Sequence, residues 1–308
     1  MDSIVVVKQM AIIFILILVG VLMHHRGRLG KETVGNVSWL VINICNPMTL
    51  IYSALSSKTR LSVSELAAAV ACFAVMYALL FAMAYVLPVL LRTDKADRYP
   101  YVMLTLYTNV GFIGIPFVAA VLGNDALVYV SICCLVFNIL IYTHGIHVMK
   151  KAGNAGGKEH SLLNIINAGT VSSLITIVIF ATGIRVPTLV SDTVNYMGKC
   201  TTMLSMLVLG AAVANMNVRS VFGSLRLYIF TAVRGILLPV IITYIMIHFT
   251  ENDMLSKVIM VMAALPCANM PLMLAKEYEA DESVISAGII LTTLMSVVTL
   301  PIVVTICL

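Results

Sequence analysis

Asn109-Val-Gly-Phe-Ile-Gly-Ile-Pro116 decides how this chain folds, because it sits inside an apolar run, Tyr101 to Val121, long enough to cross a bilayer. Its two glycines and proline weaken or remove backbone hydrogen bonds, and in hydrocarbon each unsatisfied group costs several kcal/mol. A helix interrupted there is tolerated only where protein or a water-filled cavity receives the freed groups, so the interruption must face inward. A second one, Leu265-Pro-Cys-Ala-Asn-Met-Pro271, again sets an asparagine near a proline inside an apolar run. Paired interrupted spans in matching halves of a chain point to the substrate site of a secondary transporter.

The surrounding composition fixes the solvent. The 308 residues are 61% hydrophobic and 11% charged, with a mean hydropathy of +1.04. A water-soluble domain carries about 25% charged residues, so the chain reads as an all-α integral membrane protein. Its net charge of +5 does not indicate nucleic acid, because Lys and Arg lie in short loops between apolar runs, as positive-inside orientation produces. The cysteines (Cys45, Cys72, Cys133, Cys134, Cys200, Cys267 and Cys307) fall within apolar runs without CxxC spacing and read as small buried hydrophobes. No residue pattern calls for a cofactor or a metal. Ile4 to Leu22 follows an acid and precedes His24-His25-Arg26, where cleavage would need small residues, so it reads as a retained first span.

Runs of about 20 apolar residues give ten spans: Ile4–Leu22, Val37–Leu55, Val63–Leu87, Tyr101–Val121, Ala126–Val148, Leu162–Thr182, Lys199–Asn215, Arg226–Phe249, Leu255–Leu274 and Ser283–Cys307. Twelve Lys and Arg residues fall in one set of alternate loops and six in the other, which places the richer set in the cytoplasm and both termini outside. The polar connection Lys150 to His160 divides the spans five and five. Five is odd, so the second half enters from the opposite side and the two repeats, residues 1–150 and 162–308 about a loop at 151–161, are inverted. The interrupted runs are then the fourth span of each half, meeting near mid-depth.

A helix resuming after such a break directs N–H groups and its positive dipole end inward, where a carboxylate is otherwise poorly solvated. Asn109, Gly111, Gly114, Pro116, Asn269 and Pro271 are therefore the candidate substrate-binding residues, with the two amides able to donate or accept hydrogen bonds without a buried charge. Asn138 lies deep in the fifth span and either lines the same cavity or joins two helices. Asn46-Pro47 in the second span has no counterpart in the seventh and reads as packing. Arg234 is the basic residue set inside a run, a candidate charge partner for a substrate, a ligand for carbonyls freed near a break, or a side chain that snorkels to the interface. Asp and Glu sit at span ends or in loops, and His24, His25, His144, His147, His160 and His248 read as edge or loop residues. A proton carrier is thus not evident, and Na+ bound by unwound carbonyls and amides competes with H+ as coupling ion.

Three ordered stretches, Asn109 to Pro116, Ala264-Leu-Pro-Cys-Ala-Asn-Met-Pro-Leu-Met-Leu-Ala-Lys-Glu-Tyr278 and Thr292-Thr-Leu-Met-Ser-Val-Val-Thr-Leu-Pro301, resemble the signature stretches of the auxin efflux carrier family. That family contains the plant PIN-type carriers and many prokaryotic transporters. The resemblance implies ten spans in two inverted five-helix repeats, with helices 4 and 9 broken and crossing at a proline, here Pro116 and Pro271. It implies a dimeric scaffold of spans 1, 2, 6 and 7, and a moving domain of spans 3–5 and 8–10. It also implies a small organic anion held by asparagines, carried over to Asn109 and Asn138. The short central loop and a third span without the plant carriers' Asp-to-Lys support motif favour malate, malonate or a similar carboxylate over auxin. A sodium-coupled symporter of the bile-acid type is the competing transport reading. A sensor or an intramembrane enzyme is the alternative class, and Ser/His/Asp or HExxH arrangements at membrane depth are missing for the latter.

Overall fold

The computed structural model describes residues 3–57, 61–153, 165–215 and 224–307, and their regular elements are all helices. Lys58, Arg60, Lys158, His160 and Arg219, which entered the orientation and loop readings, lie outside the described residues. The helices are α1 (Ser3–His25), α2 (Lys31–Ser56), α3 (Val63–Leu90), α4 (Arg98–Leu106), α5 (Val110–Val121), α6 (Asn124–Ala152), α7 (Ala168–Thr182), α8 (Thr188–Asn215), α9 (Leu225–Met246), α10 (Asp253–Ala264), α11 (Met270–Glu277) and α12 (Ser283–Cys307). Seven of them, α1, α2, α3, α6, α8, α9 and α12, are long and apolar enough to cross a membrane. The fourth and ninth apolar runs are each split in two, as α4 with α5 and α10 with α11. Helices α2 and α8 begin at Lys31 and Thr188, earlier than hydropathy places them, because Glu32 and Asp192 ride on exposed faces.

Local chemistry sets several boundaries. Ser62 and Glu65 form a reciprocal capping box at the start of α3, Asn167 caps α7 and Asn252 caps α10. Gly183, at φ +65°, ends α7 in the left-handed conformation that a side chain disfavours.

Four helices contain one wide π-type turn: Val41–Cys45 in α2, Val110–Gly114 in α5, Ile141–Gly145 in α6 and Val233–Leu237 in α9. In three of them a proline follows, at Pro47, Pro116 and Pro239. Proline lacks an N–H and its ring collides with the carbonyl four residues back, and widening the turn relieves that collision. The sequence signature is a valine six residues ahead of the proline.

Tight packing joins α1 to α8. A side chain on Gly20 would strike the Leu207 backbone, and one on Gly210 would strike the Ile17 carbonyl, so these two glycines let the helix backbones touch. Thr49 of α2 donates to the Gly198 carbonyl of α8 (3.1 Å) and meets Thr201 Oγ1 at 2.8 Å. Helix α7 packs on α2 and α6, while α3 packs on α4, and α9 on α10. Five cysteines, Cys45, Cys72, Cys133, Cys134 and Cys267, are buried as expected, but Cys200 is exposed on α8, where its thiol faces the Tyr196 carbonyl.

Candidate functional site

The two interruptions meet and pair. Asn109 N–H donates to the Pro266 carbonyl (2.8 Å) and Ala268 N–H to the Tyr107 carbonyl (2.9 Å), setting Thr108 opposite Cys267 as one antiparallel bridge. Each unwound segment thereby satisfies backbone groups of the other, which is what permits non-helical chain at this depth. The segments in contact are 107–109 and 266–268, so the crossing does not lie at Pro116 and Pro271. Pro116 is absorbed into α5 behind its wide turn, and Pro271 sits in the first turn of α11, where a missing N–H costs nothing.

Asn109 makes the turn that starts α5. Its backbone, at φ −78° and ψ 63°, forms an inverse γ-turn closed by Val110 N–H to the Thr108 carbonyl (2.8 Å). Its Oδ1 accepts from Phe112 N–H (3.1 Å) and caps the helix, while its Nδ2 is buried with no hydrogen-bond partner. Thr108 Oγ1 and Asn269 Oδ1 are likewise buried and unpartnered. Polar atoms left this way inside a protein cost free energy unless something else engages them.

Pro116 has a further consequence for Gly111. In the wide turn Ile115 N–H bonds to the Val110 carbonyl, so the Gly111 carbonyl would need an N–H at position 116 and proline has none. Asn46 Nδ2 of α2 supplies the missing donor at 3.3 Å. Asn46 is 7% exposed, and its Oδ1 is unpartnered. Asn46, read as packing, thus has a specific partner in the broken span, and the signal for it was a carbonyl freed by a proline 70 residues away. Gly114 fits α5 against α10, since a Cβ there would lie 2.8 Å from Leu265 Cδ1 and 3.2 Å from Met262 Cε.

Arg234 sits beneath the crossing and is 1% exposed, which removes the snorkelling alternative. Its Nε donates to the Thr105 carbonyl (2.9 Å) and its Nη1 to the Ala263 carbonyl (2.7 Å). Those carbonyls belong to the last turns of α4 and α10, whose helical partners would be Asn109 and Cys267. Asn109 N–H has gone to Pro266, and Cys267 N–H has gone to Thr292 Oγ1 (3.2 Å). The Cys267 thiol takes the Leu104 carbonyl (3.1 Å). One guanidinium therefore closes two freed helix ends and opposes the negative dipole end of each.

Asn138 stands one residue from Phe137, whose ring packs on Tyr107 of the crossing at 5.7 Å between centroids. It is half-buried in α6, and its amide nitrogen stands where a side chain on Gly169 of α7 would meet it at 3.2 Å. Among the described residues no group of three or more His, Cys, Asp or Glu is placed to hold a metal ion.

The chain is similar to a Methanocaldococcus jannaschii protein called uncharacterized transporter MJ1031, with 24% identity over 296 residues, covering 92% of this chain and 93% of the relative. A family model described as membrane transport protein matches residues 5–304. With seven membrane-length helices among its described residues and that model matching nearly its whole length, the chain belongs to the membrane transport protein family, the auxin efflux carrier family its three motifs resemble.

Proposed function

We propose that this protein is a secondary transporter that carries a small organic anion, a carboxylate such as malate or malonate, through the crossing of its two broken helices. The observation that carries this reading is the buried, unpartnered Nδ2 of Asn109 beside the paired segments 107–109 and 266–268. A donor held there without a partner suits an anion that arrives, binds and leaves. Helices α5 and α11 both start at the crossing, so their positive dipole ends converge on it. Gly111, Gly114 and Pro116 shape the α5 side of the site, Asn269 and Pro271 the α11 side, and Asn46 joins them.

In this reading the chain is two inverted five-helix repeats, residues 1–150 and 162–308 about a cytoplasmic loop, in the cell membrane with both termini outside. Spans 1, 2, 6 and 7 form a scaffold, here α1, α2, α7 and α8, which dimerises. The glycine contacts of α1 with α8 and the Thr49 bonds of α2 to α8 support that grouping. The remaining helices carry the site past the scaffold in an elevator motion. Asn138, at the α6–α7 contact, then lies on the sliding surface.

Purified protein in liposomes should exchange internal malonate or malate for the labelled acid, and Asn109→Ala should abolish exchange while the protein still inserts and stays monodisperse. Absence of exchange across a broad panel of carboxylates would overturn the reading. Uptake that needs Na+ and stops on replacement by choline would favour the sodium-coupled alternative.

A further inference from the structure

The crossing is wired to a histidine that hydropathy placed at an edge. His144 lies inside α6, in its wide turn, half-buried, and both ring nitrogens are engaged. Nδ1 is 3.0 Å from the Tyr107 hydroxyl and Nε2 is 2.8 Å from the Tyr85 hydroxyl of α3. Phe81 packs on the imidazole, with ring centres 4.8 Å apart. Tyr107 belongs to the unwound segment of the crossing, and its carbonyl accepts Ala268 N–H from the opposite one. A Cβ on Gly145 would lie 2.9 Å from Ile141 Cδ1 and 3.2 Å from the Tyr107 hydroxyl.

Tyr107 has one hydroxyl hydrogen, and it is given to the Leu140 carbonyl (3.0 Å), which can only accept. With that hydrogen on Leu140, Tyr107 oxygen accepts from His144, and the neutral ring carries its proton on Nδ1 and presents the Nε2 lone pair to Tyr85 O–H. A proton added at Nε2 requires one change only: the Tyr85 hydroxyl turns from donor to acceptor. No bond to Tyr107 breaks. Tyr85 is 45% exposed and lies five residues before the end of α3, about 8 Å at the helical rise. That end carries Arg92 and Lys95 in the following loop, and α6 ends at the same side with Lys150 and Lys151.

We infer that His144 is a proton-binding site coupled to the anion site: it takes a proton at Nε2 by way of Tyr85 and holds the charge one hydrogen bond from the crossing. The inference rests on the carrier reading and names its coupling ion as H+. A cation at His144 favours an anion at Asn109, and by reciprocity the anion favours the proton, so the two bind and move together. The groups facing His144 are Tyr85 from α3 and Tyr107 from the α4–α5 break, with His147 of α6 in electrostatic reach. None of these faces the imidazole as a carboxylate bonded to it, so proton and substrate anion do not compete with a fixed partner.

The test compares wild type, His144→Gln, Tyr85→Phe and, as a control on an exposed histidine, His248→Gln, in liposomes with labelled malonate. In wild type and H248Q an imposed proton gradient should drive malonate accumulation above the level without it. In H144Q the ratio of the two levels should fall to about one, since the coupling free energy is gone. Y85F, which retains the ring but cannot rotate a hydroxyl, should shift the pH dependence of uptake. Gradient-driven accumulation by H144Q equal to wild type overturns the inference. A second measurement stands apart from transport: nitrogen-15 histidine NMR of the purified protein should show His144 titrating between about pH 5 and 8, with its midpoint moved by Y85F. A ring that stays neutral throughout overturns the inference even if malonate is carried. If wild type carries no carboxylate, the carrier reading falls and the NMR result alone decides whether His144 binds a proton.

Discussion

On the carbonyl side of the crossing, where α4 and α10 end, side chains supply donors to three freed acceptors: Thr105 and Ala263 take Arg234, and Leu104 takes Cys267, while Arg234 Nη2 stays buried without a partner. On the amide side, where α5 and α11 begin, Asn109 Nδ2, Thr108 Oγ1 and Asn269 Oδ1 are buried and have none. Closing one side with a guanidinium anchors the break permanently, because neither partner can leave without uncovering charge or carbonyl in a dry interior. Unpartnered polar atoms remain on both sides, more of them on the amide side, where a ligand has most to satisfy. In the proposed reading the four helix ends divide into a half that side chains largely close and a half that a ligand completes.

The division predicts where substitutions cost stability and where they cost transport. Arg234→Met strikes the closed side and should lower stability by about 4 kcal/mol, two charge-assisted bonds being lost together. Thermal unfolding in detergent reads this, and a melting curve like that of wild type would mean the carbonyls had found other donors. Gly114→Val should cost about 2 kcal/mol by pressing on Leu265 and Met262, and should slow exchange as α5 shifts.

Asn109 separates the two functions of one side chain. Asn109→Ala loses the helix cap, about 1 kcal/mol, and the free donor. Asn109→Asp keeps an acceptor for Phe112 N–H but sets an acceptor or a negative charge where the donor was. It should melt near wild type and exchange no carboxylate, and an active N109D would move the site elsewhere. Asn46→Ala should cost about 1 kcal/mol for the Gly111 bond and weaken exchange less than either Asn109 change. Pro116→Ala is the smallest expected effect, since a new N–H at position 116 takes over the Gly111 carbonyl; if Asn46→Ala is then harmless in the P116A background, the two residues act through that one carbonyl.

The paired breaks were legible because Gly, Pro and Asn inside apolar runs leave few folded alternatives in hydrocarbon. Their positions were not. Proline looked like the breaking residue, yet a wide turn absorbs Pro116, whereas Asn109 can replace the lost backbone bonds with its own amide and so begins the helix. Asn46 was unreadable for a related reason: its partner is a carbonyl 65 residues away, freed by a proline in another helix. His144 looked peripheral by distance along α6, and only the meeting of α3 and the α4–α5 break around it shows otherwise.

The sequence by itself determined that the chain lives in a membrane, that it is helical, that two spans are interrupted and that a basic residue, Arg234, lies inside a run. Hydrocarbon enforces those conclusions locally, since each follows from what a short run of residues can and cannot satisfy within itself. Which groups receive Arg234, which amide reaches the Gly111 carbonyl and which histidine meets Tyr107 depend on chain segments 29 to 129 residues apart. Those pairings are settled only when the helices pack, because a freed backbone group is indifferent to where along the chain its partner comes from.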